Sequence, residues 1–224
     1  MLLKKNKKIL IYISLLMLIT TINNKNIKYI NLTKINKINV TGLEEVNNLK
    51  LKKKLNFLKI SNLFFLDEVK VVEALNSNNL IEKYSIFKKY PSTLNIKIKK
   101  TNFLAQIIDK GDNFFLGSNG KLIKTTHIRN DIPFIFGNFD NDSFFDLKTV
   151  IDDSNLSYHE IKSFFFFKSG RWDIELNSGL LIKLPKSDLK KTIKFLNNFL
   201  ESKYNVKIDK IDLRQKNQMI INGK

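Results

Sequence analysis

Apolar residues along this chain recur with two periods, and the places where one period gives way to the other mark out its elements. Ile35, Ile38 and Val40 alternate as a short strand that breaks at Gly42, and Thr41 and Glu44 stand at capping-box spacing ahead of a helical stretch. In that stretch Leu51, Leu55 and Leu58 form one stripe, while Lys50, Lys52, Lys53 and Lys54 cover the other face. A second helix follows Asp67, a good N-cap, with Val71, Val72 and Leu75 on its apolar side. Two strands then meet at Pro91-Ser92. Tyr84, Ile86 and Tyr90 share a face of the first, and Leu94, Ile96 and Ile98 point inward from the second. The order predicts a βααββ unit over residues 35–102.

Residues 103–224 read differently. "FLAQIIDKGDNFFLGSNGKLI" is three strands joined by a Gly-Asp and an Asn-Gly turn, and "DIPFIFGN" adds another. "SFFDLKTVIDDS" predicts a helix with Phe145 and Val150 among its buried positions. Phe164 to Phe167 cannot all face one side of a strand, so both faces are expected to be covered there. Trp172, Ile174 and Leu176 alternate with Arg171, Asp173 and Glu175, a turn follows at Asn177-Ser178-Gly179, and Leu180 to Leu184 returns. A helix over residues 187–204 carries Leu189, Ile193, Leu196 and Leu200 on one stripe. Ile211 and Leu213 then alternate with Asp212 and Arg214, Lys216-Asn217-Gln218 turns, and Met219-Ile220-Ile221 resumes as a strand. The density of short strands predicts an antiparallel β domain with flanking helices. The whole is α+β.

The N-terminal stretch has neither pattern. Lys4, Lys5, Lys7 and Lys8 precede an uncharged run from Ile9 to Ile22, the order of a signal sequence or signal anchor. Fourteen helical residues would span roughly 21 Å at about 1.5 Å each, short of a hydrocarbon core of about 30 Å. Lysine stems and interfacial asparagines can recover part of the deficit. No A-x-A pattern precedes a cut site, so the reading is an uncleaved anchor: residues 1–8 a cytoplasmic tail, 9–24 a single transmembrane helix, 25–34 a linker, and the bulk on the far side.

Charge and chemistry narrow the function. A formal net charge of +18 suits a nucleic-acid binder or a protein against an acidic membrane. The excess is mostly lysine in a Lys-, Asn- and Ile-rich chain, and no Arg-rich helix, RNP-like motif or zinc spacing accompanies it. A solvated surface is the simpler account. With no cysteine, disulfides, thiolate metal sites and cysteine nucleophiles are excluded. His127 and His159 lie far apart without a second ligand at helical or hairpin spacing, so no metal site is expected. Asp67-Glu68 and Asp152-Asp153 are explained by helix capping and helix electrostatics. No phosphate-cradling glycine loop or nucleophile elbow appears, and no cofactor, catalytic residue or small-molecule substrate is predicted. Arg171 and Trp172 could form a recognition pair, although a Trp alternating with Ile and Leu reads first as core.

The chain resembles a family of bacterial cell division proteins, FtsQ (DivIB). Strand, "VTG", helix, "LFFLD", helix, then "YPSTLNIKIKKTNFLAQ" resembles its POTRA domain, with Pro91, Thr93, Leu94, Ile96, Ile98 and Ala105 matching the hairpin pattern. Lys100, Thr101 and Phe103 stand where the family has Glu, Arg and Pro. "SNGKLIK", "IPFIFG", "GRWDIELNSGLLIKLP" and "IDLR" resemble further family segments in order. The resemblance implies a non-enzymatic, single-pass inner-membrane scaffold of the divisome at the septum, with its bulk periplasmic. It would recruit FtsB and FtsL, with FtsW, FtsI and FtsK as further contacts. It also implies that the last strand accepts a segment of FtsB by β-augmentation, which places the partner edge at Gln215, Lys216, Asn217, Gln218, Met219, Ile220, Ile221 and Asn222. The family's aromatic after the Arg is Gln215 here. Two alternatives stay open: a POTRA-containing envelope assembly or transport component that binds unfolded segments, and a terminal strand that merely completes its sheet.

Overall fold

The computed structural model describes residues 2–21, 34–201, 208–216 and 218–223. Most of the expected linker, and the end of the helix expected over 187–204, lie outside these residues. The chain groups into two compact units, residues 1–41, 45–72 and 85–97, and residues 42–44, 73–84 and 98–224.

Helix α1 spans Leu2–Thr21. Ile9, Leu10, Leu16 and Leu18 on it are all half or more exposed. Its lysines occupy the first two turns, so the uncharged part is too short for the hydrocarbon core. Among the described residues no helix is long and apolar enough to cross a membrane, and the transmembrane helix read from the sequence is to that extent not found.

Strand β1 (Lys37–Thr41), helix α2 (Glu45–Lys54), a 3-10 turn over Asn56–Ile60, helix α3 (Glu68–Asn76) and strands β2 (Ile81–Lys89) and β3 (Thr93–Lys100) give the order β-α-α-β-β. The sheet order is β1-β3-β2. Strand β1 runs parallel to β3, with Ile38 opposite Leu94 and Val40 opposite Ile96. A parallel pair needs a long crossover, and α2 and α3 supply it. The leucine stripe holds: Leu51, Leu55 and Leu58 are buried. The capping box does not form, because α2 begins one residue beyond Glu44, whose carboxylate pairs with Lys100 instead. Asp67 does cap α3, accepting from the Lys70 backbone N–H at 3.4 Å.

Among the described residues the second sheet has nine strands: β4 (Phe103–Asp109), β5 (Asp112–Gly117), β6 (Leu122–Thr125), β7 (Phe134–Phe136), β8 (Ile161–Phe166), β9 (Trp172–Leu176), β10 (Leu181–Lys183), β11 (Ile208–Asp212) and β12 (Ile220–Gly223). Their order is β12-β11-β10-β9-β8-β7-β4-β5-β6. The sheet is mixed, which corrects the antiparallel expectation: β4 with β7, β7 with β8, and β10 with β11 are parallel. The cause is local. Helix α4 (Asn141–Asp152) lies between β7 and β8 in the chain, and helix α5 (Leu189–Glu201) between β10 and β11. A helix between two neighbouring strands carries the chain back to the starting end and makes the pair parallel.

Both helices cover one face of this sheet. Phe144, Leu147 and Ile151 from α4 and Ile193 and Leu196 from α5 join Phe164, Trp172, Ile174, Ile182 and Ile211 in one core. The buried stripe of α4 is thus 144-147-151, while Phe145 and Val150, read as buried, only flank it. Asp140 caps α4 by accepting from the Ser143 N–H. Of the four consecutive phenylalanines, Phe164 is buried, Phe165 and Phe166 are half-buried, and Phe167 reaches the surface.

Candidate functional site

Strand β12 stands at one edge of the nine-stranded sheet, paired on its inner side with β11 in antiparallel register, Ile221 opposite Ile211 and Ile220 opposite Asp212. An edge strand leaves a row of backbone N–H and C=O groups without sheet partners. Ile220 and Ile221 are 47% and 41% exposed, so apolar side chains accompany that row. The partner edge read from the sequence is longer than the strand itself. Ile220, Ile221 and Asn222 lie in β12, whereas Gln215, Lys216, Gln218 and Met219 belong to the connection that precedes it, and Asn217 is outside the described residues. The connection turns where Gln218 N–H meets the Gln215 carbonyl at 3.2 Å.

Beside it lies a groove of about 270 Å³ between this connection and α5, lined by Pro185, Thr192, Phe195, Leu213, Arg214 and Gln215 among others. Arg214 is held rather than free. Its Nε lies 2.8 and 3.0 Å from the two carboxylate oxygens of Asp212. Those bonds hold the Asp212 carboxyl below its ordinary value and raise the Arg214 guanidinium.

Asp212 also begins a row of charge that the sequence hid. Across the sheet Asp212 is opposite Lys183, and Lys183 is opposite Asp173. Asp173 is 3% exposed, although alternation along β9 had placed it on the outer face with Arg171 and Glu175. The Arg171 guanidinium lies over the Phe167 ring at 4.1 Å, with its Nε 3.6 Å from Asp173 Oδ1, an ion contact too long for a hydrogen bond. Trp172 is core, and so forms no exposed recognition pair with Arg171. No sequence signal separated Asp173 from Glu175, since both alternate with apolar residues along β9.

Burial pushes the Asp173 carboxyl above its ordinary 3.8, against the opposing pull of Arg171 and Lys183. An acid whose pKa is raised by folding stabilises the fold fully below its unfolded value, and that contribution is lost as pH rises through the folded value. Asp212 has the opposite sign, its contribution being present above the ordinary value and lost as pH falls through the lowered one. Asp173→Asn fixes the neutral form. Its Tm relative to the wild type is expected to become more favourable as pH is raised from about 3 to about 7. Thermal unfolding across that range checks this, and a difference independent of pH would refute it.

Among the described residues no cluster of three His, Asp or Glu side chains could hold a metal ion.

The geometry therefore defines a chain with a βααββ unit and a mixed sheet that ends on an exposed strand. Comparison with known proteins assigns both parts to one class: residues 33–100 match the POTRA domain, FtsQ-type, and residues 105–214 match the cell division protein FtsQ/DivIB, C-terminal, family. The chain belongs to the FtsQ/DivIB family of cell division proteins. It is 24% identical to the cell division protein FtsQ of Rickettsia bellii over 81% of this chain and 69% of that protein. It is 30% identical to the cell division protein DivIB of Staphylococcus aureus over 47% of this chain, a match that spans 25% of that relative's length. A solved structure of the major extracytoplasmic domain of DivIB from Geobacillus stearothermophilus is 15% identical, with a TM-score of 0.34, over 43% of this chain and 87% of that one. The C-terminal family match ends at Arg214, so the connection to β12 and β12 itself lie beyond it. Membership supports a role in cell division.

Proposed function

We propose that this chain is a non-enzymatic, membrane-anchored scaffold of the divisome whose C-terminal edge takes up a strand of FtsB, with FtsL recruited alongside and FtsW, FtsI and FtsK as further contacts. The proposed placement is the septal inner membrane, with the N-terminus cytoplasmic, α1 in the membrane and the remainder periplasmic. The proposed domains are a POTRA-like unit over 35–102 and a β domain over 103–224. One observation carries the reading of the edge: β12 is the outermost strand of its sheet and bears two exposed isoleucines. A partner strand paired there would gain main-chain hydrogen bonds for affinity and alternate side-chain contacts for specificity. The Arg214 groove lies where the segment leading into such a strand could rest.

The test is a titration of the full chain in detergent with the periplasmic segment of FtsB from the same organism, beside a chain ending at Arg214. Saturable binding by the full chain is expected, weakened by about tenfold or more in the shortened one, or at least about 1.4 kcal/mol. Circular dichroism must show the shortened chain still folded. Equal affinity in both chains would remove the edge from the mechanism. Weak binding of unrelated peptides with similar affinity would favour a general envelope-assembly role.

A further inference from the structure

The end of the 3-10 turn and the loop from it to α3 expose apolar side chains that the fold does not use. Ile60 is 83% exposed and Phe65 85% exposed, and Phe64 is also exposed. Phe64 stacks on Tyr90, itself exposed, with ring centroids 4.6 Å apart. Neighbouring Leu58, Leu63 and Leu66 are buried, so the backbone of this loop is anchored from beneath while its outward residues stay uncovered. Asn62 Oδ1 accepts from the Phe64 N–H at 2.8 Å, which fixes the turn that presents the two phenylalanines.

Two observations say what covers this patch. The first is position. Lys34 pairs with Asn62 in an isolated antiparallel bridge, and the Ile35 N–H donates to the Ser61 carbonyl at 3.2 Å. The chain therefore enters this unit at the patch itself. Lys34 follows the end of α1 at Thr21 by 13 residues, a covalent reach of at most about 45 Å. The second is charge. Lys34, Lys59 and Lys89 are exposed beside Asn62, Ile60 and Tyr90 respectively. The nearby carboxylates of Asp67 and Glu68 are paired with Lys70 and Lys88. Aromatic and aliphatic side chains rimmed by lysines match the boundary of an anionic bilayer, where rings sit at headgroup depth and ammonium groups meet phosphates.

We propose that Ile60, Phe64, Phe65 and Tyr90 form a membrane-docking patch that inserts into the headgroup region of an anionic phospholipid bilayer and holds the N-terminal unit against it. The proposal rests on the anchored reading of α1 given above. It gives this unit a second, reversible attachment.

The chain has no cysteine, so a single introduced one can carry an environment-sensitive fluorophore. Full-length Lys59→Cys, which removes one rim lysine and leaves Lys34 and Lys89 in place, is labelled, reconstituted in vesicles of phosphatidylethanolamine and phosphatidylglycerol, and compared with and without doxyl-labelled lipid. Ile13→Cys in α1 reports the anchor, and Ile128→Cys, at an exposed apolar position of the other unit, reports nonspecific adsorption. A blue-shifted emission at position 59 that loses about half its intensity to the doxyl lipid is expected, as for a group within about 5–10 Å of the acyl boundary. Phe64→Ser with Phe65→Ser should abolish both effects, as should replacement of phosphatidylglycerol by phosphatidylcholine at high salt. Quenching at 13 with a water-like, unquenched signal at 59 would overturn the patch and leave the anchor standing. A blue shift at 59 without lipid quenching would place protein on the patch and overturn it. Equal quenching at 59 and 128 would do the same. Quenching at 59 without quenching at 13 would support the patch and overturn the anchor.

Discussion

Replacing Trp172 by alanine is expected to cost the second unit about 3–5 kcal/mol of stability, the range for deleting a large aromatic from a packed core. Trp172 is 2% exposed on β9. Its ring lies 4.7 Å from Phe166, 5.8 Å from Phe139, 6.1 Å from Phe144 and 6.2 Å from Phe164, which joins strands β8 and β9 to helix α4 in one aromatic cluster. Its Nε1–H donates to Ser143 Oγ at 2.9 Å, in the first turn of α4. Alanine leaves a cavity bounded by rings that cannot all collapse into it. Trp172→Phe keeps most of the packing and loses the hydrogen bond, for an expected cost of about 1–2 kcal/mol. Because this is the sole tryptophan, urea unfolding should be followed by far-UV circular dichroism. Similar midpoints for the two variants would mean that the bond to Ser143, not the ring packing, dominates.

Gly42→Ala is expected to be nearly as damaging, by about 2–4 kcal/mol, for a reason that lies wholly in the backbone. Gly42 has a φ of +110°, where an L-residue is strained. A Cβ there would come to 1.8 Å from the carbonyl oxygen of Ile98 and 2.7 Å from its carbonyl carbon. Ile98 belongs to β3, the middle strand of its sheet, so the obstruction cannot swing aside as a side chain would. Gly111→Ala is the control. Its φ is +86° and nothing lies within 4 Å of an added Cβ, so strain alone applies, at about 1–2 kcal/mol. Thermal unfolding of the two variants separates contact from strain. If both shift Tm equally, the close approach of Gly42 to Ile98 is not limiting.

Much of this architecture was legible because it is local. The stripe Leu51-Leu55-Leu58, the inward set Leu94-Ile96-Ile98, the Asn119-Gly120 turn, and the capping aspartate at 67 each follow from periods and turn chemistry within a few residues, whereas the turn read at Gly111-Asp112 falls one residue earlier, at Lys110-Gly111. Family membership was legible for a similar reason, since the matching segments occur in order along the chain. The candidate edge was legible only in part. The sequence placed an apolar strand over Met219-Ile220-Ile221, but the eight residues assigned to the edge ran back through the turn that feeds it.

What the sequence by itself determined is which residues are helical, which are extended, where the chain turns, and that it carries lysine excess and no cysteine. What only the tertiary structure decided is which strands become neighbours and what lies over each face. Helices at 141–152 and 189–201 could be seen from their stripes. That each joins two adjacent strands, and so makes β7 with β8 and β10 with β11 parallel, depends on pairings between segments far apart in the chain. Asp173 shows the same limit at one residue: period two assigns it a face but does not say whether that face is wet. The row Asp173, Lys183 and Asp212, the burial that raises the Asp173 carboxyl, and the terminal position of β12 all arise from lateral strand order. The physical reason is that hydrogen-bonding geometry and side-chain period are properties of short segments, whereas burial and edge exposure are properties of the assembled sheet.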